Sequence, residues 1–597
     1  MKNSCKSFLI SLLLFLSCDS FAQSAASGFE YRGMHLDVSR HYFAPEVVKR
    51  YLDILAMHDI NRFHWHLTDN QAWRLEIKAY PKLTEGIPFY SHDEVRDIVA
   101  YAATKGIEVI PEIDLPGHME AGIKAYPELT CSTNDKPGNV LCIGNENTYT
   151  FISNVLREVV DLFPSKMIHV GGDEVAIDRW AKCPHCHDKQ QSYCMSRIAD
   201  ILKGYGREWV MWDDVLDNGM TDLSGGYIMI WRDQDTAKKV HQLGGRSILS
   251  PSKYCYFDYF QTSNIDTEPR GFGNSLPVER VYSYNPLEGL TAEEAQSIVG
   301  IQANLWTEHV SQPEHVEYML LPRLAALQEV QAGRNVNRSF HEFMPTLEKR
   351  LQEYKSLGLN YCRHLYDRFF TVKRNPEKRC ADVFLTSSDG TAEEQKEVRS
   401  TCVIEALPHI ADGDATEWTL EGRTYQYYSV NTRRFLFTKS TYCPIVLDDT
   451  YLDKPRYSFD GAATLNDGIC GEKNFATGDW LGFKGGPAVV TYDLQKRQKV
   501  SQVQVSCMTD MEAWISNIGE IAVETSNDGK TFKEVARQAY PYETDNGKKD
   551  IDKYFLPFNA VKARYVRVTV HPAPSFPETH DGYGTPTYLF IDEIGVE

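Results

Sequence analysis

After its first two dozen residues the sequence has no apolar run of the roughly 20 residues a helix needs to cross a bilayer, so no membrane span is expected. It also lacks a basic excess: 63 Lys and Arg stand against 82 Asp and Glu, a formal net charge of -19. Nucleic acids and anionic membrane surfaces both require a basic footprint, which sets them aside as partners. A neutral or weakly cationic substrate fits better. Internal repeats and low-complexity tracts are missing too, which excludes a solenoid. What is present is 42% hydrophobic and 12% aromatic content, enough apolar surface for real cores. A chain of 597 residues is too long for one compact domain, and two or three are expected.

Lys2 and Lys6 precede a short apolar run from Phe8 to Leu16, and Ser20-Phe21-Ala22 then places small residues before Gln23. That pattern reads as a signal peptide over residues 1–22. It predicts export to the periplasm or the extracellular space, with lipid attachment through Cys18 as the alternative. Of 14 cysteines, Cys5 and Cys18 fall in this leader, and the remaining twelve form an even set that permits disulfides. Cys131 and Cys142 flank a Gly/Pro/Asn loop and could pair. Cys183-Pro-His-Cys186, followed by His187 and Cys194, invites a zinc reading. It ranks below structural thiols or a disulfide, because a second ligand pair at zinc-site spacing is missing.

From residue 31 to about 310, β-rich runs alternate with helical patterns. The β runs are Tyr31–Val38, Ile60–Leu67, Ile107–Ile113, Met167–Val170, Trp209–Trp212, Tyr227–Trp231, Arg246–Leu249 and Gly300–Leu305. Helical periodicity covers Ser91 to Lys105, opened by the capping box Ser91-x-x-Glu94, and Thr148 to Phe163. Eight strands, each followed by room for a helix, predict a (β/α)8 TIM barrel over residues 23–360. His315 to Gln331 reads as an amphipathic helix that Pro322 should bend. A second helix is expected over Pro345 to Leu357, with Pro in its first turn and Gly358 at its C-cap. Residues 361–455 read as a linker or small β module. Residues 456–597 alternate apolar and polar over Ala488–Leu494, Val500–Cys507, Ile518–Ser526 and Arg564–Val570, the pattern of a β-sandwich.

Active sites of such barrels lie at the C-terminal strand ends. In chain order those positions hold Arg32 with Asp37, Asp69, Asp114 with His118, and Asp173 with Glu174. Trp212 with Asp213 and Asp214, Trp231 with Arg232, Tyr256 with Asp258, and Trp306 with Glu308 complete the set. Carboxylates for acid/base work recur beside aromatic planes that can stack on a sugar ring, a combination pointing to a glycosidase pocket. Within a strand two adjacent carboxylates would face opposite ways. After Gly171-Gly172 the backbone can turn Asp173 and Glu174 to one side. On their own the three tryptophans would more often be core packing, and His64 with His66, a metal-like pair at i, i+2, is taken as structural.

Tyr31-Arg-Gly-Met-His-Leu-Asp-Val-Ser-Arg-His-Tyr42, Phe63-His-Trp-His-Leu-Thr-Asp69, Glu112-Ile-Asp-Leu-Pro-Gly-His118, His169-Val-Gly-Gly-Asp-Glu174 and Gln302-Ala-Asn-Leu-Trp-Thr-Glu308 together resemble the β-N-acetylhexosaminidases of glycoside hydrolase family 20. The resemblance runs from residue 30 to about 360. It implies an exo-acting, retaining enzyme in which the substrate's own 2-acetamido oxygen attacks the anomeric carbon, giving an oxazolinium. By this likeness Glu174 is the acid/base and Asp173 holds the acetamido N–H. Arg32 would bind the 3- and 4-hydroxyls of the terminal sugar, and Glu308 the 4- and 6-hydroxyls. Trp212, Trp231 and Trp306 would enclose the ring and the acetamido methyl, and Tyr256 would bond the acetamido oxygen with Asp258 beside it. Asp69 and His118 would position Glu174. No metal or cofactor is implied for catalysis. Rival readings are a lacto-N-biosidase-like family member and a catalytically silent glycan binder. Many members carry a small α/β domain before the barrel, for which Gln23 to Glu30 leaves no room. The last region resembles discoidin-like modules (coagulation factor type C, carbohydrate-binding module family 32) through Gly478-Asp-Trp-Leu-Gly-Phe483, Trp514-Ile515, Ser526-Asn-Asp-Gly529, Ala563-Arg-Tyr-Val-Arg-Val568 and Phe590-Ile-Asp-Glu-Ile594. Such modules can hold a structural calcium.

Overall fold

A computed structural model describes residues 28–597 apart from 132–137, 263, 274, 388–390, 412–413 and 476–477. The signal-peptide reading of residues 1–22, with Cys18, lies outside the described residues. The chain forms two compact units: one takes in the chain up to Leu365 together with Ala415–Tyr427, the other Tyr366–Asp414 and Tyr428–Glu597.

The first unit is a closed parallel barrel of eight strands in sequential order. They are β1 (Tyr31–Asp37), β2 (Arg62–His66), β3 (Glu108–Glu112), β4 (Met167–His169), β5 (Glu208–Trp212), β6 (Gly226–Ile230), β7 (Ser247–Leu249) and β8 (Ile298–Ala303). Successive side chains leave a strand on opposite faces. On β2, Phe63 and Trp65 are buried, Trp65 packing edge-on against Tyr90. His64 and His66 reach Glu112 of β3. The barrel interior is filled by Tyr31, Ile110, Val210, Trp212, Tyr227, Met229 and Ile248. It is a packed core rather than a pore.

Helices cover the outside, and their ends follow the chain chemistry. The helix His92–Thr104 starts at the capping box expected of Ser91 and Glu94. Pro322 does more than bend its helix: Pro313–Leu320 and Arg323–Gln331 are separate helices. A proline nitrogen has no hydrogen to give the preceding turn. The next helix begins at Phe340 rather than Pro345, capped by Ser339 and Glu342, so Pro345 lies inside it. It ends before Gly358, which takes a φ of +64°.

The interval expected as a linker or small β module divides between the two units. Glu417–Leu420 and Arg423–Gln426 form a hairpin belonging to the barrel unit. Its Trp418 stacks on Tyr318, ring centroids 5.1 Å apart, and Tyr427 Oη donates to Asn360 Oδ1 at 2.6 Å. Ile445–Asp448 instead pairs with Ala488–Asp510 in the second unit.

That second unit is all β. Its main sheet runs Leu481–Lys484, Tyr588–Val596, Ala488–Asp510, Lys549–Pro572, Ile518–Ser526 and Lys533–Ala539. The two runs Ala488–Leu494 and Val500–Cys507 are one continuous strand of 23 residues. Its register shifts between Asp493 and Gln498, where Gln495 has a φ of +65°. Such a bulge bends a strand and carries it from one layer of a sandwich to the other. One apolar core of the sandwich includes Val490, Val505, Ile521, Val568 and Ile594. Among its described residues from 456 to 597, no three His, Cys, Asp or Glu side chains converge as a metal cage, and Asp592 and Glu593 accept backbone N–H groups of Gly471 and Gly468. Among the described residues no helix is long and apolar enough to cross a membrane.

Candidate active site

β4 is only three residues long because Gly171 and Gly172 follow it with φ of +66° and +96°. A Cβ on Gly171 would stand 1.7 Å from Asp114 Oδ1, and one on Gly172 2.7 Å from Val215 Cγ1. The two residues without side chains therefore let the chain fold against β3 and β5 and deliver Asp173 and Glu174 to the barrel mouth, Glu174 itself at a φ of +47°. Both reach the same histidine. His118 Nε2 is 3.6 Å from Asp173 Oδ2 and 3.8 Å from Glu174 Oε2, while its Nδ1 meets Asp69 Oδ1 at 3.0 Å.

A cavity of about 180 Å³ opens here. Ten of the eleven site residues expected from the sequence line it: Asp69, His118, Asp173, Glu174, Trp212, Trp231, Tyr256, Asp258, Trp306 and Glu308. Arg32 does not. It sits near the start of β1, at the opposite end of the barrel, where Nε donates to the Asp59 carbonyl and Nη1 to that of Phe29. The arginine in the pocket is Arg40, three residues past the end of β1. Asp37 Oδ2 pairs with Arg40 Nη1 at 3.0 Å, and Asp37 Oδ1 accepts the Arg40 backbone N–H. Arg40 Nη2 reaches Asp69 Oδ2 at 2.9 Å and Glu308 Oε1 at 3.6 Å, and the guanidinium lies 5.2 Å from the Trp306 ring. Tyr259 and Phe272 also line the cavity and were not anticipated. Both follow β7 in an irregular stretch that carries no periodic signal.

The aromatic walls are fixed from behind. Trp212 Nε1 donates to Glu112 Oε1 at 3.1 Å, and Trp231 Nε1 to Asp214 Oδ2 at 2.7 Å. Asp213 accepts the Trp231 backbone N–H and pairs with Arg232, so the Asp213–Asp214 step holds β6 and its tryptophan. Trp231 and Tyr256 stack with centroids 6.1 Å apart. Beneath them Glu112 is a hub. His64 Nε2 lies 3.0 Å from it and His169 Nδ1 2.9 Å, with His66 bonded as well. Gln302 Nε2 points at His64 Nδ1, which assigns the His64 proton to Nε2, facing Glu112. His64 is thus held between Glu112 and Gln302, and His66 between Glu112 and Asp69.

The electrostatics follow from burial and from crowded acids. Burial, opposed by His118 and reinforced by Glu112 and Asp214, pushes Asp173 up to about 7. Its Oδ1 has no hydrogen-bond partner among the described residues. Burial and the neighbouring Asp173 push Asp114 well above the usual carboxylate range. Burial works against protonation of His118, but Asp114, Asp173 and Asp69 outweigh it and lift the imidazole to about 10. Asp69, though buried, is held well below the usual range by His118, His66 and Arg40. Asp258 is raised by burial, with Oδ1 unpartnered among the described residues. The pocket thus offers one protonated imidazole between two carboxyl groups, a fixed arginine opposite, and indole walls. That set can bind a neutral polyol ring and move a proton at its edge.

Residues 29–331 match the model of the glycosyl hydrolase family 20 catalytic domain, and residues 439–583 that of the F5/8 type C domain. A β-hexosaminidase of Porphyromonas gingivalis is 37% identical over 366 residues, covering 56% of this chain and 47% of that protein. One from Akkermansia muciniphila is 30% identical, covering 59% and 77%. The chain spans about half the length of the first curated relatives it matches, 47% and 56%. Among solved structures, a family 20 exo-β-N-acetylglucosaminidase of Vibrio harveyi in complex with N-acetylglucosamine is 32% identical with a TM-score of 0.52, covering 56% of this chain and 59% of that one. The barrel, the residues at its mouth and the match over residues 29–331 lead to one assignment: the chain belongs to glycosyl hydrolase family 20.

Proposed function

We propose that the protein is an exported, exo-acting β-N-acetylhexosaminidase that releases terminal GlcNAc or GalNAc from glycans by retaining, substrate-assisted catalysis. The observation carrying this reading is that Asp173 and Glu174, adjacent in sequence, both approach His118 Nε2, at 3.6 and 3.8 Å, inside one small tryptophan-walled pocket. A protein nucleophile has to stand across the sugar ring from the acid/base. Two on one side suit an internal nucleophile carried by the substrate.

In this reading Glu174 protonates the leaving oxygen while the acetamido oxygen attacks the anomeric carbon. Glu174 then takes a proton from the water that opens the oxazolinium. Asp173, as the carboxylate, accepts the acetamido N–H and stabilises the positive charge growing there. Accepting that N–H favours the ionised form and offsets the burial that raises Asp173. Tyr256 steadies the acetamido oxygen, with Asp258 beside it. Trp212, Trp231 and Trp306 enclose the methyl group and ring. Arg40 takes the role first expected of Arg32, binding the 3- and 4-hydroxyls opposite Glu308. His118 and Asp69 position Glu174. The printed names of the relatives, β-hexosaminidase and exo-β-N-acetylglucosaminidase, support this substrate class.

Hydrolysis of aryl β-GlcNAc and β-GalNAc, compared with an aryl lacto-N-bioside, tests the proposal. The monosaccharide glycosides should turn over, Glu174→Gln should lower the rate by about 10²–10⁴-fold, and a thiazoline mimic of the oxazolinium should inhibit. Turnover of the disaccharide alone would move the enzyme to the lacto-N-biosidase class. No turnover of any substrate would leave a glycan binder, and indifference to the thiazoline would remove substrate assistance.

A further inference from the structure

Four cysteines from two separate loops meet beside the pocket. Cys131 and Cys142 lie between β3 and β4, and Cys183 and Cys186 follow β4 shortly after Glu174. All four are buried and their sulfurs lie within 4.8 Å of one another. Three of the separations are Cys131–Cys186 at 3.7 Å, Cys142–Cys183 at 3.9 Å and Cys142–Cys186 at 3.5 Å. A tetrahedron of thiolates around zinc, with Zn–S of about 2.3 Å, has sulfur–sulfur edges of about 3.8 Å. Disulfides would instead draw the sulfurs into two bonded pairs of about 2.0 Å. Cys142 shows no such preference, standing nearly as close to Cys183 as to Cys186.

The surroundings fit a metal thiolate. The Gly144 N–H donates to Cys186 Sγ at 3.2 Å, the kind of bond that settles negative charge on a ligand sulfur. The Cys186 and His187 backbone N–H groups both turn back to the Cys183 carbonyl, so Cys183 and Cys186 project from one tight turn. Across from it, Trp180 Nε1 donates to the Leu141 carbonyl at 2.9 Å. The missing second ligand pair, which ranked zinc low in the sequence, is supplied by Cys131 and Cys142. Their wide spacing and distance along the chain hid them. His187 is exposed with Nδ1 at the Pro184 carbonyl, and Cys194 lies outside the quartet.

We propose that Cys131, Cys142, Cys183 and Cys186 hold one structural Zn²⁺ in a closed tetrahedral site that clips the loop after β3 to the loop after β4. Four thiolates suit a soft-preferring ion and leave no open coordination position, so the ion supplies no chemistry to the pocket. It fixes the loops that carry His118 on one side and Asp173 with Glu174 on the other. This inference does not depend on the hydrolase reading, because metal content is read without substrate.

The test is elemental analysis of the full-length chain, purified without reductant or chelator from zinc-containing medium. About one zinc per chain is expected, with four sulfur neighbours at about 2.3 Å in zinc X-ray absorption. Cys183→Ser with Cys186→Ser should remove the metal, and Cys194→Ala should keep it. Should the double variant fail to fold, mercurial titration of the wild-type chain in the presence of a zinc-sensitive dye should release the ion in step with thiol modification. Two disulfides among these four residues by peptide mass mapping, with no metal, would overturn the proposal. So would stoichiometric iron, or a zinc shell containing oxygen or nitrogen.

Discussion

Arg40 owes its place over the pocket to Asp37, which binds both its backbone N–H and its guanidinium. The Arg32 guanidinium instead donates to the Asp59 and Phe29 carbonyls at the far end of the barrel. Each charged hydrogen bond to a sugar hydroxyl contributes about 1.5–3 kcal/mol. Arg40→Ala should therefore lower kcat/KM on aryl β-GlcNAc by about 10²–10³-fold, while Arg32→Ala stays within about threefold. Equal losses in the two variants would refute the reassignment. Asp173 gives a pH-dependent prediction. Burial raises it to about 7 in the folded chain, whereas an unfolded aspartate titrates near its ordinary 3.8. The folded state thus binds the proton more tightly, and the stability gained from it is full below about pH 4 and lost as pH rises through 7. Asp173→Asn removes the buried charge. It should stabilise the barrel unit relative to wild type by about 2 kcal/mol more at pH 8 than at pH 5, while activity collapses. A stability difference independent of pH, read by denaturant titration at both values, would contradict this.

At the level of elements, the strand-to-turn transition after β4 is the most exacting. Gly171 combines a left-handed φ with a carboxylate oxygen standing where a Cβ would go, whereas Gly106 has a φ of +73° and nothing within 4 Å. Gly106→Ala should cost about 1 kcal/mol of backbone strain, and Gly171→Ala roughly 3 kcal/mol or more together with loss of turnover. Similar losses in the two variants by thermal unfolding would show that the Asp114 contact carries no weight. Much of this level was legible in advance. The eight strands end within two residues of their expected limits, because buried parallel strands announce themselves as short apolar, β-branched runs. The helix expected from Pro345 begins five residues earlier, at Phe340, because Ser339-x-x-Glu342 supplies a capping box and the helix accommodates the proline within it. The bend in Ala488–Asp510 was read as two strands, since a polar interval in a continuous bulged strand looks the same as a turn.

For the molecule as a whole, the chain does not respect its own order. It leaves the barrel unit after Leu365, returns for Ala415–Tyr427 and leaves again. The returning hairpin covers Tyr318 with Trp418 and sets Arg363 4.1 Å from the Tyr427 ring. Its Glu421 accepts from Ser311 and Gln312, next to Glu308 in sequence. Trp418→Ala, at a half-buried position, should lower barrel stability by roughly 1–3 kcal/mol. A chain cut after Leu365 should fare worse than that single change, because it loses every hairpin contact at once. Equal unfolding temperatures of the cut and intact barrels would refute the hairpin's role.

By itself the sequence determined the barrel, the sandwich and ten of the pocket's side chains, because strand periodicity, the glycine pair and motif order are local properties written along the chain. Only the tertiary structure decided which arginine faces the pocket, which cysteines meet, and to which unit residues 415–427 belong. Each of those depends on which end of a strand, or which distant loop, a residue is brought to. Asp173 and Glu174 were visible as neighbours from the start. That they share one histidine required β3 and β4 to be laid side by side.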